Sequence, residues 1–213
     1  MKTKTKSIMT ICLAVALVVA AVVGTIAYMT AQDSKTNTFT VGDFNKPNKP
    51  GTTDKLQGYI YEENWDKETS HQLIPGESVT KDPKVGIGAG SETAYVYVYI
   101  KNDLLNTSEK HVTFTLKDGW EAVNATSLGG TTYAEGLFKY STMLDPTSAD
   151  AWTSTIFDKV DVPTSITSDE FAGASPTMTV YAYIHQATDD KGDINTTTID
   201  DNAKAWATNI KNN

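Results

Sequence analysis

The chain contains no arginine and only one cysteine, Cys12, among its 213 residues. Arginine is the side chain that binds phosphates with paired hydrogen bonds. This chain is also acidic, with a formal net charge of −8. We therefore expect no nucleic-acid partner. Because Cys12 lies within an apolar N-terminal run, the rest of the chain has neither a disulfide nor a thiol nucleophile. Its stability has to come from a packed core or from contacts with other subunits.

Motifs for catalysis and metal binding are also missing. None of the three histidines, which are His71, His111 and His185, stands in an HExxH motif, and GxSxG does not occur. Neighbouring carboxylates such as Glu62 and Glu63 face opposite sides of a strand, which suits them poorly to shared acid–base work. Residues 189–195 are similar to a calcium loop but lack its final glutamate, so a solvated hairpin loop is favoured. We expect no enzymatic activity, no cofactor and no metal site.

Residues 1–27 have the build of a secretory signal peptide. Three lysines precede an uncharged run over residues 8–23, which is short for a stable membrane span. We expect cleavage near Ala27 and Tyr28, and an uncleaved N-terminal anchor is the alternative. Cleavage would remove three lysines and no acidic residue, which leaves 15 lysines against 26 acidic residues and a charge near −11. Such a charge favours solubility at high concentration.

Residues 28–44 form an N-terminal segment with a strand pattern near its end. Over residues 38–44 apolar side chains alternate with threonine and glycine. The next segment, 45–54, has Pro47 and Pro50 in a polar setting, which favours an extended linker without hydrogen bonds. An ordinary surface loop is the alternative. A strand on such a linker need not pair with its own domain, and we expect a neighbouring subunit to accept it. The candidate interface residues are Thr38, Phe39, Thr40, Val41 and Phe44.

Two segments of the remaining chain, 55–213, alternate aliphatic residues with tyrosines. In residues 94–100 the aliphatic side chains share one face of a strand and three tyrosines share the other, and residues 178–185 repeat this design. The aliphatic face should lie in the core. The tyrosine face can stand at a wet boundary or be covered by another chain. We expect an exposed aromatic face made of Tyr95, Tyr97, Tyr99, Tyr181 and Tyr183.

Short strand patterns separated by turn signals fill most of the body. Besides the two tyrosine segments they lie at 56–61, 78–85, 112–116, 120–123, 133–140 and 156–162. We expect a helical turn at 147–152 and a short amphipathic helix at 199–210, capped by Thr198 or Asp200. The whole pattern predicts an all-β fold, an antiparallel β-sandwich with jelly-roll-like connections and a short C-terminal helix.

The residues around the expected cleavage site form a distinctive pattern. Ala27-Tyr28-Met29-Thr30 is followed by a polar run and then by Asn37-Thr38-Phe39-Thr40-Val41-Gly42. This region resembles the N-terminus of the TasA/camelysin family, strongly over residues 20–44 and weakly through the body. Met29 stands where that family often has an aromatic residue. The resemblance implies a secreted subunit of extracellular matrix fibres that is processed by a SipW-type signal peptidase. Camelysin-like proteins have been labelled metalloproteases, but the HExxH motif needed to carry that label over is missing.

These features predict a secreted bacterial protein of the cell surface or extracellular matrix. It would polymerise with itself into matrix or pilus-like fibres by donating its N-terminal strand to the next subunit. Its partners would be further copies of the chain and the signal peptidase, and the participation of an accessory assembly protein stays open. The alternative is a monomeric cell-surface module that binds carbohydrate or protein through exposed aromatic rings. A secreted hydrolase is a third class, which no sequence feature supports.

Overall fold

The computed structural model describes residues 37–40, 44–56, 59–65, 73–103, 111–165, 177–189, 192–193 and 195–212. These residues include thirteen strands and one helix. They are β1 (Asn37–Thr40), β2 (Ile60–Glu62), β3 (Ser78–Thr80), β4 (Pro83–Ile87), β5 (Ala94–Asn102), β6 (Thr113–Thr115), β7 (Trp120–Gly129), β8 (Thr132–Tyr140), β9 (Ala151–Trp152), β10 (Lys159–Asp161), β11 (Met178–Gln186), β12 (Thr188–Asp189), β13 (Gly192–Asp193) and α1 (Thr196–Lys211).

Eight strands form a large sheet that curls into a half-barrel. Their order is β1-β11-β5-β8-β6-β10-β3, and β7 pairs with β8 outside this path. The two tyrosine segments, β5 and β11, pair antiparallel along their full lengths. Asn102 lies where β5 and β6 both meet β8, and its side-chain amide donates to the carbonyls of Val112 and Ala134 at 2.9 and 3.0 Å. The Asn102 side chain therefore supplies hydrogen bonds to two carbonyls that find no backbone partner where the sheet branches.

A small sheet of order β2-β4-β9 packs over one face of the large sheet. The core between them contains the aliphatic side chains of β5 and β11 together with Ile60 of β2 and Val85 of β4. Phe114 lies in the same core, with its ring centroid 4.6 Å from that of Phe157 and 5.6 Å from that of Phe138. The predicted fold class is confirmed, since this is a mostly β structure of antiparallel sheets, apart from the parallel β1–β11 pair, with a short C-terminal helix.

Helix α1 covers the opposite face of the large sheet. Its buried residues Ile199, Ala203 and Ala207 follow helical spacing and pack on the tyrosine side of β5 and β11. The helix begins earlier than expected, because the side chain of Asn195 caps it by accepting the backbone N–H of Thr197 at 2.8 Å. The expected caps at Thr198 and Asp200 are therefore wrong. The fold has three layers, namely small sheet, large sheet and helix.

The expected single strand at 78–85 is divided into β3 and β4 by Lys81 and Asp82. Lys81 forms a buried ion pair with Glu62 of β2 at 2.8 Å. Asp82 accepts the backbone N–H groups of Asn64 and Trp65 at 3.1 and 3.2 Å. Both side chains bind β2 and the turn that follows it, so the chain leaves the large sheet here and continues in the small one. Residues 151–152 form a strand, β9, where a helical turn was expected.

The segment 45–54 is hydrogen-bonded within itself and to the body, so the expected linker without hydrogen bonds is wrong. Pro47 is buried, and its carbonyl accepts the N–H of Leu56 at 3.0 Å. The N–H of Lys49 donates to the carbonyl of Asp54 at 2.7 Å, which closes a turn. Proline removes only its own donor, so the other backbone groups still need partners.

Candidate subunit interface and the helix-covered face

Strand β1 occupies the outermost position of the large sheet. It pairs in parallel with β11 of its own chain, and β5 holds the other side of β11. The aligned pairs are Asn37 with Ala182, Thr38 with Tyr183, Phe39 with Ile184 and Thr40 with His185. The predicted interface residues Thr38, Phe39 and Thr40 thus lie on one strand at a sheet edge. Val41 lies outside the described residues, and so does the expected cleavage site at Ala27 and Tyr28.

Phe44 and Asn45 fasten the chain to the body just after β1. Phe44 packs against the core, and its carbonyl accepts the hydroxyl of Tyr59 at 2.9 Å. The N–H of Asn45 donates to Ser91 Oγ at 2.7 Å, and its carbonyl accepts the N–H of Gly88 at 2.8 Å. A Cβ atom at Gly88 would lie 2.5 Å from the carbonyl oxygen of Lys46, so only glycine permits this close approach. Phe44 therefore belongs to the anchor and not to the paired strand.

Asp150 provides a second attachment for the same segment. Its carboxylate accepts the backbone N–H groups of Asn48 and Ala89, both at 2.8 Å. Desolvation disfavours the charged form, but the two N–H donors outweigh it and hold the pKa of Asp150 below its ordinary value. Residues 44–48 are thus fixed by hydrogen bonds to two separate loops. These contacts with the body therefore fix the position of the residues that follow β1 in the chain.

The tyrosine face is covered, so the expected exposed aromatic face is wrong. Tyr97, Tyr99 and Tyr183 are 0%, 4% and 2% exposed, while Tyr95 and Tyr181 are half-buried. The ring of Trp206 on α1 lies 5.3 Å from that of Tyr183. The physical reason is that an amphipathic helix and a tyrosine-bearing sheet face each gain by removing apolar surface from water. The cover is the chain's own helix and not another subunit.

A polar cluster fixes α1 to the large sheet. Asp200 of the helix accepts the hydroxyl of Tyr97 at 2.5 Å and the ammonium of Lys139 at 3.0 Å. Burial raises the pKa of the Tyr97 hydroxyl, and the bond to Asp200 raises it further, so this hydroxyl stays a donor. Desolvation opposes the Asp200 carboxylate, but these two donors keep its pKa below the ordinary value. We call Asp200, Tyr97 and Lys139 the helix latch.

A half-open pocket of about 320 Å³, called the cavity below, lies between the C-terminal half of α1 and strands β7 and β8. Strand β7 shifts register three times against β8, between residues 122 and 129, and such bulges bend a strand away from its neighbours. Gly136 of β8 has a φ of 146°, and a Cβ there would collide with Ala125 of β7. The lining comprises Tyr99, His111, Asn124, Ala125, Thr126, Leu128, Ala134, Glu135, Gly136, Leu137, Ala207, Thr208 and Lys211.

Two residues of this lining each carry a buried polar atom that lacks a hydrogen-bond partner among the described residues. These atoms are the hydroxyl of Tyr99 and Nδ1 of His111. A buried polar group without a partner costs about 1–3 kcal/mol of stability, so such groups are rare in folded proteins. Burial, with smaller contributions from Glu135 and Asp103, raises the pKa of Tyr99 to about 12, so its hydroxyl is protonated at neutral pH. The carboxylate of Glu135 binds Lys211 at 2.7 Å.

Sequence reasoning missed the cavity and the latch. The sequence offers His111 only as a metal ligand and Asp200 only as a helix cap, and Glu135 and Lys211 belong to no motif. The small residues Ala203 and Ala207 on the apolar stripe of the helix were the available signal, because they let a helix approach a sheet closely. The bulges of β7 that open the space have no marker in the sequence.

Within the residues that the structure describes, no group of three or more metal-ligating His, Cys, Asp or Glu side chains occurs. No helix among them is long and apolar enough to span a membrane. No protein-family model, curated protein or solved structure matches the chain. The functional argument therefore depends on the sheet edge, the covered face and the cavity.

Proposed function

We propose that this protein is a secreted structural subunit that polymerises into extracellular matrix or pilus-like fibres by donating its N-terminal strand to the next subunit. The observation that carries the proposal is the place of β1. This four-residue strand is the outermost member of the large sheet, and it precedes a firmly anchored residue pair, Phe44 and Asn45.

The same pairing can be made within one chain or between two chains. On the side that faces away from β5, β11 offers β1 a row of backbone donors and acceptors, and the β11 of a neighbouring copy offers an identical row. Exchange conserves the contacts, so the free-energy difference between the closed and the linked form is small and protein concentration shifts the balance. Because the donor and acceptor edges are different surfaces, repeated exchange is head-to-tail and can build a filament.

The proposed compartment and partners follow from the N-terminal segment and the charge. Residues 1–27 act as a signal peptide that a SipW-type peptidase removes, and the mature acidic chain stays soluble until its strands exchange. The chief partner is another copy of the chain, an accessory assembly protein stays open, and we assign no reaction to the protein. The alternative, a module that binds its ligand through exposed tyrosine rings, is not supported, because three of the five rings are buried.

The direct experiment compares residues 28–213 with residues 45–213, which lack β1 and keep Asn45. Both proteins are examined by size-exclusion chromatography and negative-stain electron microscopy, with circular dichroism and thermal unfolding as controls for folding. We expect filaments from the longer protein and folded monomers from the shorter one. Filaments from the shorter protein would overturn strand donation, and monomers from the longer one at high concentration would overturn self-assembly without a partner.

A further inference from the structure

The ion pair between Lys81 and Glu62 lies almost entirely out of contact with solvent. The side chain of Glu62 is 0% exposed and that of Lys81 is 6% exposed. Lys81 Nζ lies 2.8 Å from Oε1 and 3.0 Å from Oε2 of Glu62, so the nitrogen is close to the carboxyl carbon that these oxygens flank. Removing two charges from water has a large desolvation cost, so a neutral arrangement of the same atoms would be favoured at this place.

The fold holds both members of the pair in position. Glu62 belongs to β2, where it is aligned with Pro83 of β4. The backbone N–H of Lys81 donates to the carbonyl of Asp158 at 3.2 Å. The ring centroid of Trp65 lies 4.6 Å from Lys81 Nζ, so an aromatic ring lies beside the amine. This arrangement supplies the fixed proximity on which fast intramolecular reactions depend.

The ion pair contains all the atoms of one amide bond and one water molecule. Transfer of a proton from the Lys81 ammonium to Glu62 gives a free amine and a carboxylic acid. The nitrogen lone pair then attacks Cδ and forms the C–N bond. One carboxyl oxygen leaves as water, and it takes the transferred proton and a second proton from the nitrogen. The reaction needs no oxidant and no co-reactant, and the exclusion of solvent protects the product from hydrolysis.

The ion pair of the helix latch differs in the features that this reaction requires. Lys139 and Asp200 are joined at 3.0 Å through Oδ1, but their side chains are 11% and 29% exposed. The same Asp200 oxygen also accepts the hydroxyl of Tyr97. Water that reaches the carboxylate solvates its charge and would hydrolyse an amide. We therefore expect the latch to remain an ion pair, which makes it an internal control.

We infer that Lys81 and Glu62 become joined by an intramolecular amide bond, which crosslinks β2 to the junction between β3 and β4. The bond would tie the small sheet to the point where the chain leaves the large one. It would also restrict the unfolded chain as a disulfide does, in a protein whose residues 28–213 contain no cysteine. The crosslink forms within one chain and depends neither on β1 nor on polymerisation.

The experiment measures the intact mass of residues 28–213. The protein is incubated in its folded state for several days and denatured only before mass spectrometry. We expect a mass lower by one water molecule than the sequence requires. Proteolytic digestion should then yield one branched peptide that joins the segments containing Glu62 and Lys81. The peptide map is needed because a cyclic imide at Asp118-Gly119 would cause the same loss of mass.

Two variants separate the crosslink from the ion pair. Lys81→Arg keeps the positive charge, but its guanidinium forms no amide, so the protein should have its full mass and a lower thermal unfolding midpoint than the crosslinked parent. The matched control, Lys139→Arg, should still lose one water molecule and give the same branched peptide. Circular dichroism checks the folding of both variants.

The result for the parent protein decides the inference even if a variant fails to fold. A full-mass parent without a branched peptide would overturn it and leave Lys81 and Glu62 as an ordinary buried ion pair. Loss of water that persists in Lys81→Arg, or that maps to another pair of residues, would also overturn it.

Discussion

The two faces of the large sheet are covered in different ways. One face meets the small sheet through aliphatic and aromatic side chains that are almost entirely buried, such as Val98, Ile100 and Phe138. The other meets one helix through tyrosines, alanines and the helix latch, and an open pocket remains beside the helix. The first face therefore supplies most of the stability of the sandwich. The second combines a smaller apolar cluster with the polar contacts of the helix latch.

The largest expected effect is the loss of an aromatic ring from the core face. Phe114→Ala removes a fully buried side chain that contacts the rings of Phe138 and Phe157. We expect it to lower the free energy of unfolding by about 3–5 kcal/mol, measured by urea denaturation. The proposed difference between the two faces is contradicted if Phe114→Ala lowers the free energy of unfolding by no more than the helix-face variant Asp200→Asn does.

A smaller effect is expected from the helix latch. Asp200→Asn keeps the size of the side chain but leaves Lys139 without its carboxylate partner. We expect a loss of about 1–3 kcal/mol, because the lysine is largely buried and Tyr97 also loses a charged acceptor. Amide hydrogen exchange should show faster opening confined to residues 196–211, with β5 and β8 protected as before. Asp201→Asn is the matched control, since Asp201 pairs with the exposed Lys204 on the same helix.

The smallest effect concerns the pH dependence of the same face. The pKa of Asp200 is lowered in the folded state, so its contribution is fully present above the ordinary carboxyl pKa of about 4 and is lost as the pH falls through the lower folded value. We expect the helix to loosen below about pH 4 before the core face unfolds. Near-ultraviolet circular dichroism and exchange of the helix amides measure this. Asp200→Asn should remove this step, and an unchanged acid profile in that variant would show that other carboxylates cause it.

The sequence was sufficient for the fold class because its signals are local and repeated. Alternation in 94–100 and 178–185 identified two strands and their core-facing sides, and helical spacing identified α1. The cover of the tyrosine face was not predictable in this way, since alternation shows that a strand has two faces and not which element packs on each. The division at Lys81 and Asp82 depends on distant partners, Glu62 and Asn64, which no local window contains.

The segment around β1 shows a second limit of sequence reasoning. Pro47 and Pro50 suggested a free linker, but hydrogen bonds to Ser91 and Asp150 fix the segment to the body. This anchoring restricts strand exchange to the residues before Phe44. A subunit that donates β1 would keep Phe44 and Asn45 on its own core and extend only the short strand to its neighbour.

The measurement that tests strand donation most directly is disulfide crosslinking at the register of β1 and β11. Residues 28–213 contain no cysteine, and Thr40 is aligned with His185. Neighbouring strands lie about 4.8 Å apart, which lets paired cysteines form a disulfide. One protein carries Thr40→Cys, a second carries His185→Cys, and the two are mixed under polymerising conditions and oxidised. A mixture of Thr40→Cys with Thr188→Cys, placed beyond the paired register, is the control.

Strand donation predicts covalent heterodimers from the first mixture and few from the control. It also predicts that one chain carrying both Thr40→Cys and His185→Cys, oxidised as a monomer before assembly, forms no filaments until the disulfide is reduced. Filaments that grow from the oxidised double variant would contradict the account, because they would form while β1 is held in its own sheet.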